Sequence, residues 1–352
     1  MRSILNKILA TCILILFYSC EKDIAVIEFN DVNYSPTFLT FPKPITFPEP
    51  NIPENNPITK EGIILGEKLF HETLLSGDNT ISCSSCHSEK YSFSEPSRFS
   101  TGFNDKIGFR NAMSITNLAW RNKLNWDGSS KSLEEQVFEP VTNPIEMNSK
   151  SWSDVIEKLK NDKEYPILFW QAFGVIDFDS THVSKAIAQF ERIIVSGNAK
   201  IDQYEKNEIS LSLSEFRGMQ IYRSERGDCF HCHPYPALTD NDFHNNGLDP
   251  EPYSDDGRFL ISGEVLDKGK FVTPTLRNIE FTAPYMHDGR FQTLEEVIEH
   301  YNFGGHPSET VDPLMKHIGK GLMLSSQDKE DLINFLKTFS DTNIVYLQQY
   351  TE

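Results

Sequence analysis

The feature that most constrains this chain is a five-residue pattern that occurs twice, as CSSCH at residues 83–87 and as CFHCH at residues 229–233. Each copy has two cysteines three positions apart and a histidine directly after the second cysteine. The chain has 352 residues and six cysteines, and the other two, Cys12 and Cys20, lie near the N-terminus. No cysteine is left for a conventional disulfide framework, so the fold is expected to be organised around two equivalent sites.

Cys-x-x-Cys-His is the attachment pattern of c-type haem, in which the two thiols bind the porphyrin vinyl groups and the histidine is the proximal iron ligand. A zinc site or a redox cysteine pair is the alternative, and the occurrence of a histidine directly after the cysteine pair in both copies favours haem. The pattern therefore predicts two covalent haems with His87 and His233 as proximal ligands. The attachment residues are Cys83, Cys86, Cys229 and Cys232.

The N-terminus predicts export. Arg2 and Lys7 precede an apolar run over residues 8–18, which is typical of a signal peptide and too short for a membrane span. Ser19 and Cys20 at the end of this run resemble a bacterial lipoprotein signal, with Cys20 as the lipid-bearing residue; a plain signal peptide and an uncleaved anchor are the alternatives. We expect a periplasmic lipoprotein of a Gram-negative bacterium, with contact to the membrane only through this lipid anchor.

Charge limits the class of partner. The net charge is −18 and the isoelectric point is about 5.0, and no basic stripe is present that would neutralise phosphates. A nucleic-acid partner is therefore excluded. The acidity suits a soluble protein or one that docks a basic partner.

Helical spacing of apolar residues begins at Thr59 and recurs at residues 151–160, 181–195, 213–223, 293–302 and 327–339. Ser212 with Glu215 and Thr293 with Glu296 predict capping boxes. GEKLF at residues 66–70 and GMQIY at residues 218–222 precede the two cysteine motifs, and a late helix follows each motif, which indicates two copies of one helical module.

The prediction is a mainly α-helical protein with long loops. Seven prolines within residues 36–57 predict an extended tether ahead of the folded modules. The predicted segments are a signal peptide over residues 1–20, the tether over 21–57, a first domain over 58–205, a second domain over 206–342 and a tail over 343–352.

Four segments resemble the bacterial dihaem cytochrome c peroxidase family, which includes the MauG proteins. They are residues 65–87, 108–147, 227–233 and 272–305, and the resemblance extends over about residues 58–340. It implies two cytochrome c-like helical domains with one covalent haem each, and hydrogen peroxide as the substrate of the first haem.

The resemblance also implies residue roles. Glu146 and Gln136 match the distal pocket of the peroxide site, where a carboxylate moves a proton between the peroxide oxygens and an amide positions the peroxide. Trp126 matches the tryptophan between the haems, and Pro140 matches a residue that shapes the pocket. A calcium site is implied at Asn111, Thr282 and Pro284, through the side chain of the first and the backbone carbonyls of the others.

Two positions depart from the common family pattern. Many members have a histidine in the loop after the first haem motif that binds the peroxide haem at rest; no histidine lies between His87 and Asn111 here, and Phe103 stands at the matching position. The second haem often has a methionine as its distal ligand, whereas Tyr301 stands there, as in MauG. Other candidates for this ligand are Met286, His300 and His306.

The prediction for function is a peroxidase that reduces hydrogen peroxide with electrons from a small c-type cytochrome or another periplasmic donor. The alternatives are a MauG-like enzyme, which uses peroxide to oxidise a protein or small molecule, and a dihaem electron carrier without catalysis. Family members are often homodimers, and no feature of this sequence decides the oligomeric state.

Overall fold

The computed structural model describes residues 33–342 and residue 344. The predicted signal peptide, Cys20 and the rest of the tail lie outside the described residues. The helices are α1 Lys60–Phe70, α2 Cys83–Cys86, α3 Leu133–Gln136, α4 Phe138–Thr142, α5 Trp152–Asn161, α6 Tyr165–Phe173, α7 Ser180–Arg192, α8 Lys200–Glu205, α9 Leu213–Tyr222, α10 Phe259–Ser262, α11 Leu294–Phe303 and α12 Ser326–Lys337.

Strand structure is small within the described part of the chain. β1 Phe243–His244 pairs antiparallel with β2 Phe271–Val272, with Phe243 opposite Val272. Irregular loops and short 3₁₀ turns make up much of the remainder. The prediction of a mainly helical protein with long loops is confirmed. Across the described ranges, no helix has both the length and the apolar character that a membrane crossing requires.

Local sequence explains where the helices begin. Thr59 caps α1 by accepting a hydrogen bond from the backbone N–H of Gly62 at 3.0 Å. Both predicted capping boxes are present, at Ser212 before α9 and at Thr293 before α11. The sequence YPILFWQAF of α6 is apolar on nearly every side, so the helical spacing that revealed the other long helices is absent there.

Each of the two predicted modules contains an equivalent pair of packed helices. In the first module α1 packs on α7, and in the second α9 packs on α12. A side chain on Gly66 would collide with the backbone carbonyl of Ala186, and one on Gly218 would collide in the same way with the carbonyl of Asp331. Aromatic residues meet beside each contact, with ring centroids 5.1 Å apart for Phe70 and Phe190 and 5.2 Å apart for Tyr222 and Phe335. The faint sequence repeat thus corresponds to a repeated packing arrangement.

The repeat continues through the loops that border the functional site. Asn117 and Asn278 both have left-handed backbone conformations, and each side-chain oxygen accepts a backbone N–H at 2.8 Å, from Ser196 and Asp341 respectively. Each asparagine is followed by a tight turn, Leu124 to Ser130 in one copy and Tyr285 to Phe291 in the other. By this correspondence, Trp126 of the first copy is equivalent to His287 of the second, and Pro140 is equivalent to Tyr301.

Each half of the sequence contributes its own hydrophobic core. Buried residues between Ile58 and Ile194 form two clusters, around α5 to α7 and around Phe70 and Phe190. Buried residues from Ala199 to Phe339 form another. The change from one core to the other falls between Ile194 and Ala199, slightly before the predicted boundary at residues 205 and 206.

The described part of the predicted tether is packed against the protein. Phe47 is 3% exposed, and its ring lies 4.6 Å from that of Trp120. The indole N–H of Trp120 donates to the carbonyl of Pro48 at 2.9 Å, and the N–H of Leu39 donates to the carbonyl of Ile58 at 3.0 Å. The segment has turns and no helix, and its aromatic residues make it part of the folded body.

Candidate functional site

Two cavities each contain one of the cysteine motifs. The first, with about 1730 Å³ of space, is lined by Cys83, Cys86 and His87. The second, with about 1900 Å³, is lined by the residues Cys229, Cys232 and His233. Both cavities are partly open to solvent and mainly apolar. The structure therefore separates the two motifs and gives each a cavity of its own.

Both motif histidines are oriented in the same way. The backbone N–H of His87 donates to the carbonyl of Cys83, and the backbone N–H of His233 donates to the carbonyl of Cys229, each at 3.0 Å. Nδ1 of His87 lies 3.2 Å from the carbonyl oxygen of Phe93, and Nδ1 of His233 lies 3.0 Å from that of Leu238. These contacts place the proton on Nδ1 and leave the Nε2 lone pair for a metal.

The protonation states of the motif residues argue against a redox cysteine pair. Burial lowers the pKa of both His87 and His233, which favours the neutral, ligating form. Burial raises the pKa of Cys86 to about 11 and that of Cys232 to about 12, whereas redox cysteines have lowered values. All four motif cysteines are free, so none is used in a disulfide. The residues present therefore fit a covalently attached haem in each cavity.

Gln136 and Glu146 both line the first cavity, together with Pro140. Glu146 is exposed to the open space of the cavity, and partial desolvation by the cavity walls, with the nearby charge of Glu139, raises its pKa to about 7. The amide of Asn143 donates to Glu146 Oε1 at 2.9 Å and holds the carboxyl in place. A carboxyl group with a pKa near neutrality is suited to both accepting and returning a proton.

The loop before Asn111 also borders the first cavity, which is lined by Gly102, Gly108 and Arg110 of this loop. The backbone N–H of Phe103 donates to the carbonyl of Glu146 at 2.8 Å, which fixes the loop beside Glu146. Residues 88–110 include no histidine, so this stretch offers no imidazole to the cavity.

The second cavity contains two of the four proposed distal ligands. Tyr301 and Met286 line it, whereas His300 and His306 do not. The amide of Asn246 donates to the hydroxyl of Tyr301 at 3.2 Å and lies 3.7 Å from the sulfur of Met286, so the two side chains converge. Burial raises the pKa of Tyr301 to about 12 in the absence of a metal.

Trp126 lies in a wall that both cavities share. Its indole N–H donates to the carbonyl of Asn111 at 2.8 Å, and the N–H of Asn111 donates to the carbonyl of His287 at 2.7 Å. His287 has its ring 6.5 Å from that of Trp126 and is stacked on Phe271 at 3.7 Å. A continuous aromatic and hydrogen-bonded connection thus links the two cavities.

The residues proposed for calcium, Asn111, Thr282 and Pro284, all line the second cavity. The side-chain amide nitrogen of Asn111 donates to the carbonyls of Ser97 and Arg98, at 3.1 and 3.2 Å. This orientation leaves the side-chain oxygen as the available ligand atom, and oxygen ligands are those that Ca²⁺ prefers.

The cavities are also lined by titratable residues that were not predicted from the sequence, and three of these bear on the chemistry. Glu139 lines the first cavity, Arg121 lines both, and His244 lines the second. Burial alone would lower the pKa of His244, but Asp240 and Asp312 contact its two ring nitrogens at 2.8 and 2.6 Å and raise the pKa to about 9. The position of Glu139 three residues after Gln136, on the same short helical stretch, was the available signal for that residue.

Comparison with known proteins identifies the family of this chain. Residues 60–210 match the family model for di-haem cytochrome c peroxidase. The methylamine utilization protein MauG of Methylorubrum extorquens is 34% identical over 300 residues, which are 85% of this chain and 82% of that protein. The chain belongs to the di-haem cytochrome c peroxidase family. It is therefore an oxidoreductase that acts on peroxide, and two haems are the cofactors that the family implies.

Two further similar proteins differ in the function for which they are named. The cytochrome-c peroxidase IdrP1 of Pseudomonas sp. strain SCT is 33% identical, over 82% of this chain and 83% of that protein. A crystal structure of a MauG-like protein associated with microbial copper homeostasis has a TM-score of 0.81 and 33% identity, and covers 89% of this chain and 99% of that one. Members of the family are typically periplasmic.

Proposed function

We propose that this protein reduces hydrogen peroxide to water at the first cavity, with electrons from a small periplasmic redox protein that enter through the second. The observation that carries the proposal is the position of Glu146 and Gln136 in the cavity that also contains the first cysteine motif. Each cavity would bind one covalently attached haem through its two cysteines and its histidine.

The haem iron supplies the binding and cleavage of peroxide and the storage of oxidising equivalents. The protein supplies proton transfer and orientation. Glu146, with a pKa near 7, takes a proton from one peroxide oxygen and returns it to the other, so that the leaving oxygen departs as water. Gln136 orients the peroxide by hydrogen bonding, and Trp126 lies in the wall between the two cavities.

Other parts of the proposal concern the environment of the enzyme. A calcium ion at Asn111, Thr282 and Pro284 would hold the shared wall together, since these residues come from both halves of the sequence. A lipid at Cys20 would keep the protein at a periplasmic membrane surface. The family resemblance also favours a homodimer.

The test is steady-state peroxide consumption by the haem-loaded protein, begun at residue 21, with reduced cytochromes c as donors. Glu146→Gln keeps the size of the side chain and removes its basicity, and we expect a loss of about 10²–10⁴-fold in turnover. Glu157→Gln changes an exposed glutamate of α5 and serves as the matched control with unchanged turnover. Normal turnover in Glu146→Gln would contradict the assigned role.

A MauG-like function is the second candidate, favoured by Tyr301 in the second cavity and by the loop without histidine. In that case peroxide would convert the wild-type protein to a long-lived oxidised state, and no cytochrome donor would turn over. Absence of any reaction with peroxide would leave the electron carrier as the remaining function.

A further inference from the structure

Arg121 lies in the wall that separates the two cavities. The residues that line both cavities are the segment 111–114, Arg121 and Trp126. Arg121 follows the 3₁₀ turn Leu118–Trp120, and its backbone N–H donates to the carbonyl of Leu118 at 3.0 Å. A charge at this position is close to whatever occupies either cavity.

The guanidinium of Arg121 has no counter-charge among the described residues. The residue is only 9% exposed, and its Nε and Nη2 atoms are buried without a hydrogen-bond partner. The other Lys or Arg side chains that line the cavities do have partners: Arg110 pairs with Asp127 and Asp255, and Lys316 pairs with Glu225 and Asp228. Burial lowers the pKa of Arg121 to about 10, which still leaves it protonated at neutral pH.

A buried cation without a partner is strongly unfavourable, so a native protein normally supplies an anion. The free Nε and Nη2 atoms form one edge of the guanidinium fork, the edge that binds a carboxylate through two parallel hydrogen bonds. A c-type haem carries two propionate carboxylates, and these lie away from the vinyl groups that the cysteines bind. The anion that Arg121 lacks is therefore one that the cofactor brings.

We propose that Arg121 forms a bidentate ion pair with a haem propionate at the wall between the cavities and thereby raises the reduction potential of that haem. The inference rests on the proposed occupation of both cavities by haem. A fixed positive charge stabilises the reduced iron, because that form has one positive charge fewer than the oxidised form. Only the first module supplies such an arginine, since Thr282 occupies the equivalent position of the second.

The experiment is a potentiometric titration of both haems in the purified, haem-loaded protein without peroxide. In Arg121→Gln, the ratio of oxidised to reduced haem at a fixed potential should rise about tenfold for at least one haem, which is a shift of about 59 mV to lower potential. Arg121→Lys keeps the charge and should stay closer to wild type. Lys150→Gln removes one positive charge from an exposed lysine and should leave both potentials unchanged.

Resonance Raman spectroscopy gives a second measurement that does not depend on potential. The propionate bending bands should shift in both Arg121→Gln and Arg121→Lys, because lysine cannot reproduce the planar fork. Unchanged potentials and unchanged propionate bands in these variants would overturn the proposal. If Arg121→Gln failed to incorporate haem, Arg121→Lys with wild-type bands would overturn it equally. Failure of peroxide turnover alone would count against the proposed function and not against this ion pair.

Discussion

Glu139 and Glu146 line the same cavity, and the charge of Glu139 contributes to the raised pKa of Glu146 after the larger effect of burial. Wild-type reactivity should therefore increase as pH rises through about 7, where Glu146 becomes a base. Glu139→Gln removes the repulsion, lowers the pKa of Glu146 and moves this increase to lower pH. The measurement is the pH dependence of the second-order rate with peroxide. Glu157→Gln is the control, and a profile that stays in place in Glu139→Gln would show that the two carboxyls do not interact.

Tyr301 and Met286 converge on Asn246 in the second cavity, so either side chain is a candidate for the distal ligand of the second haem. We expect Tyr301 to be the ligand. Tyr301→Met should then raise the potential of that haem by a clear fraction of the roughly 0.8 V that axial ligands span, because a thioether favours the reduced iron and a phenolate the oxidised iron.

The matched variant for this test is Met286→Leu, which should leave the potential and the ferric spectrum of the second haem unchanged. A changed spectrum in Met286→Leu with a normal one in Tyr301→Phe would assign the ligand to Met286.

Sequence predicts the attachment residues because their chemistry fixes both residue type and spacing, as in the motif that contains Cys83 and His87. Arg121 and Glu139 have no such signature, since arginine and glutamate are ordinarily surface residues. Only the tertiary structure shows that Nε and Nη2 of Arg121 are buried without a hydrogen-bond partner among the described residues, and that Glu139 borders the cavity of Glu146. Residue roles that depend on environment, and not on spacing, were therefore beyond the sequence.

At the level of elements, α1 and α7 approach so closely at Gly66 that only a glycine fits, and α9 and α12 do the same at Gly218. Gly66→Ala or Gly218→Ala should lower the free energy of unfolding by about 1–3 kcal/mol through overpacking, even though alanine is the better helix former. Denaturant unfolding of the haem-loaded protein measures this. Gly108→Ala, where the nearest atom to a new Cβ lies at 3.7 Å, should change stability by less than about 0.5 kcal/mol.

Equal losses of stability at Gly66 and Gly218 would support the duplicated module, and an unaffected variant at either position would contradict the close packing.

The helices themselves were largely predictable, because apolar spacing and capping boxes are local signals, as at Thr293. α6 was not, since its sequence lacks a polar face. The packing of residues 34–57 was also missed, because proline content indicates extension but not the contact between Phe47 and Trp120.

For the whole molecule, the net charge of −18 bears on the choice of electron donor. Opposite charges accelerate encounter by about 10- to 10³-fold at low ionic strength, and salt removes this advantage. With a basic cytochrome c as donor, we therefore expect kcat/KM to fall at least about tenfold between 10 mM and 0.5 M salt. With an acidic cytochrome as donor, kcat/KM should show little change or a small increase.

The reaction with peroxide itself, an uncharged molecule, is the internal control, and its rate should be independent of salt. A donor rate that is equally insensitive would mean that the acidity serves solubility and that docking relies on apolar contacts.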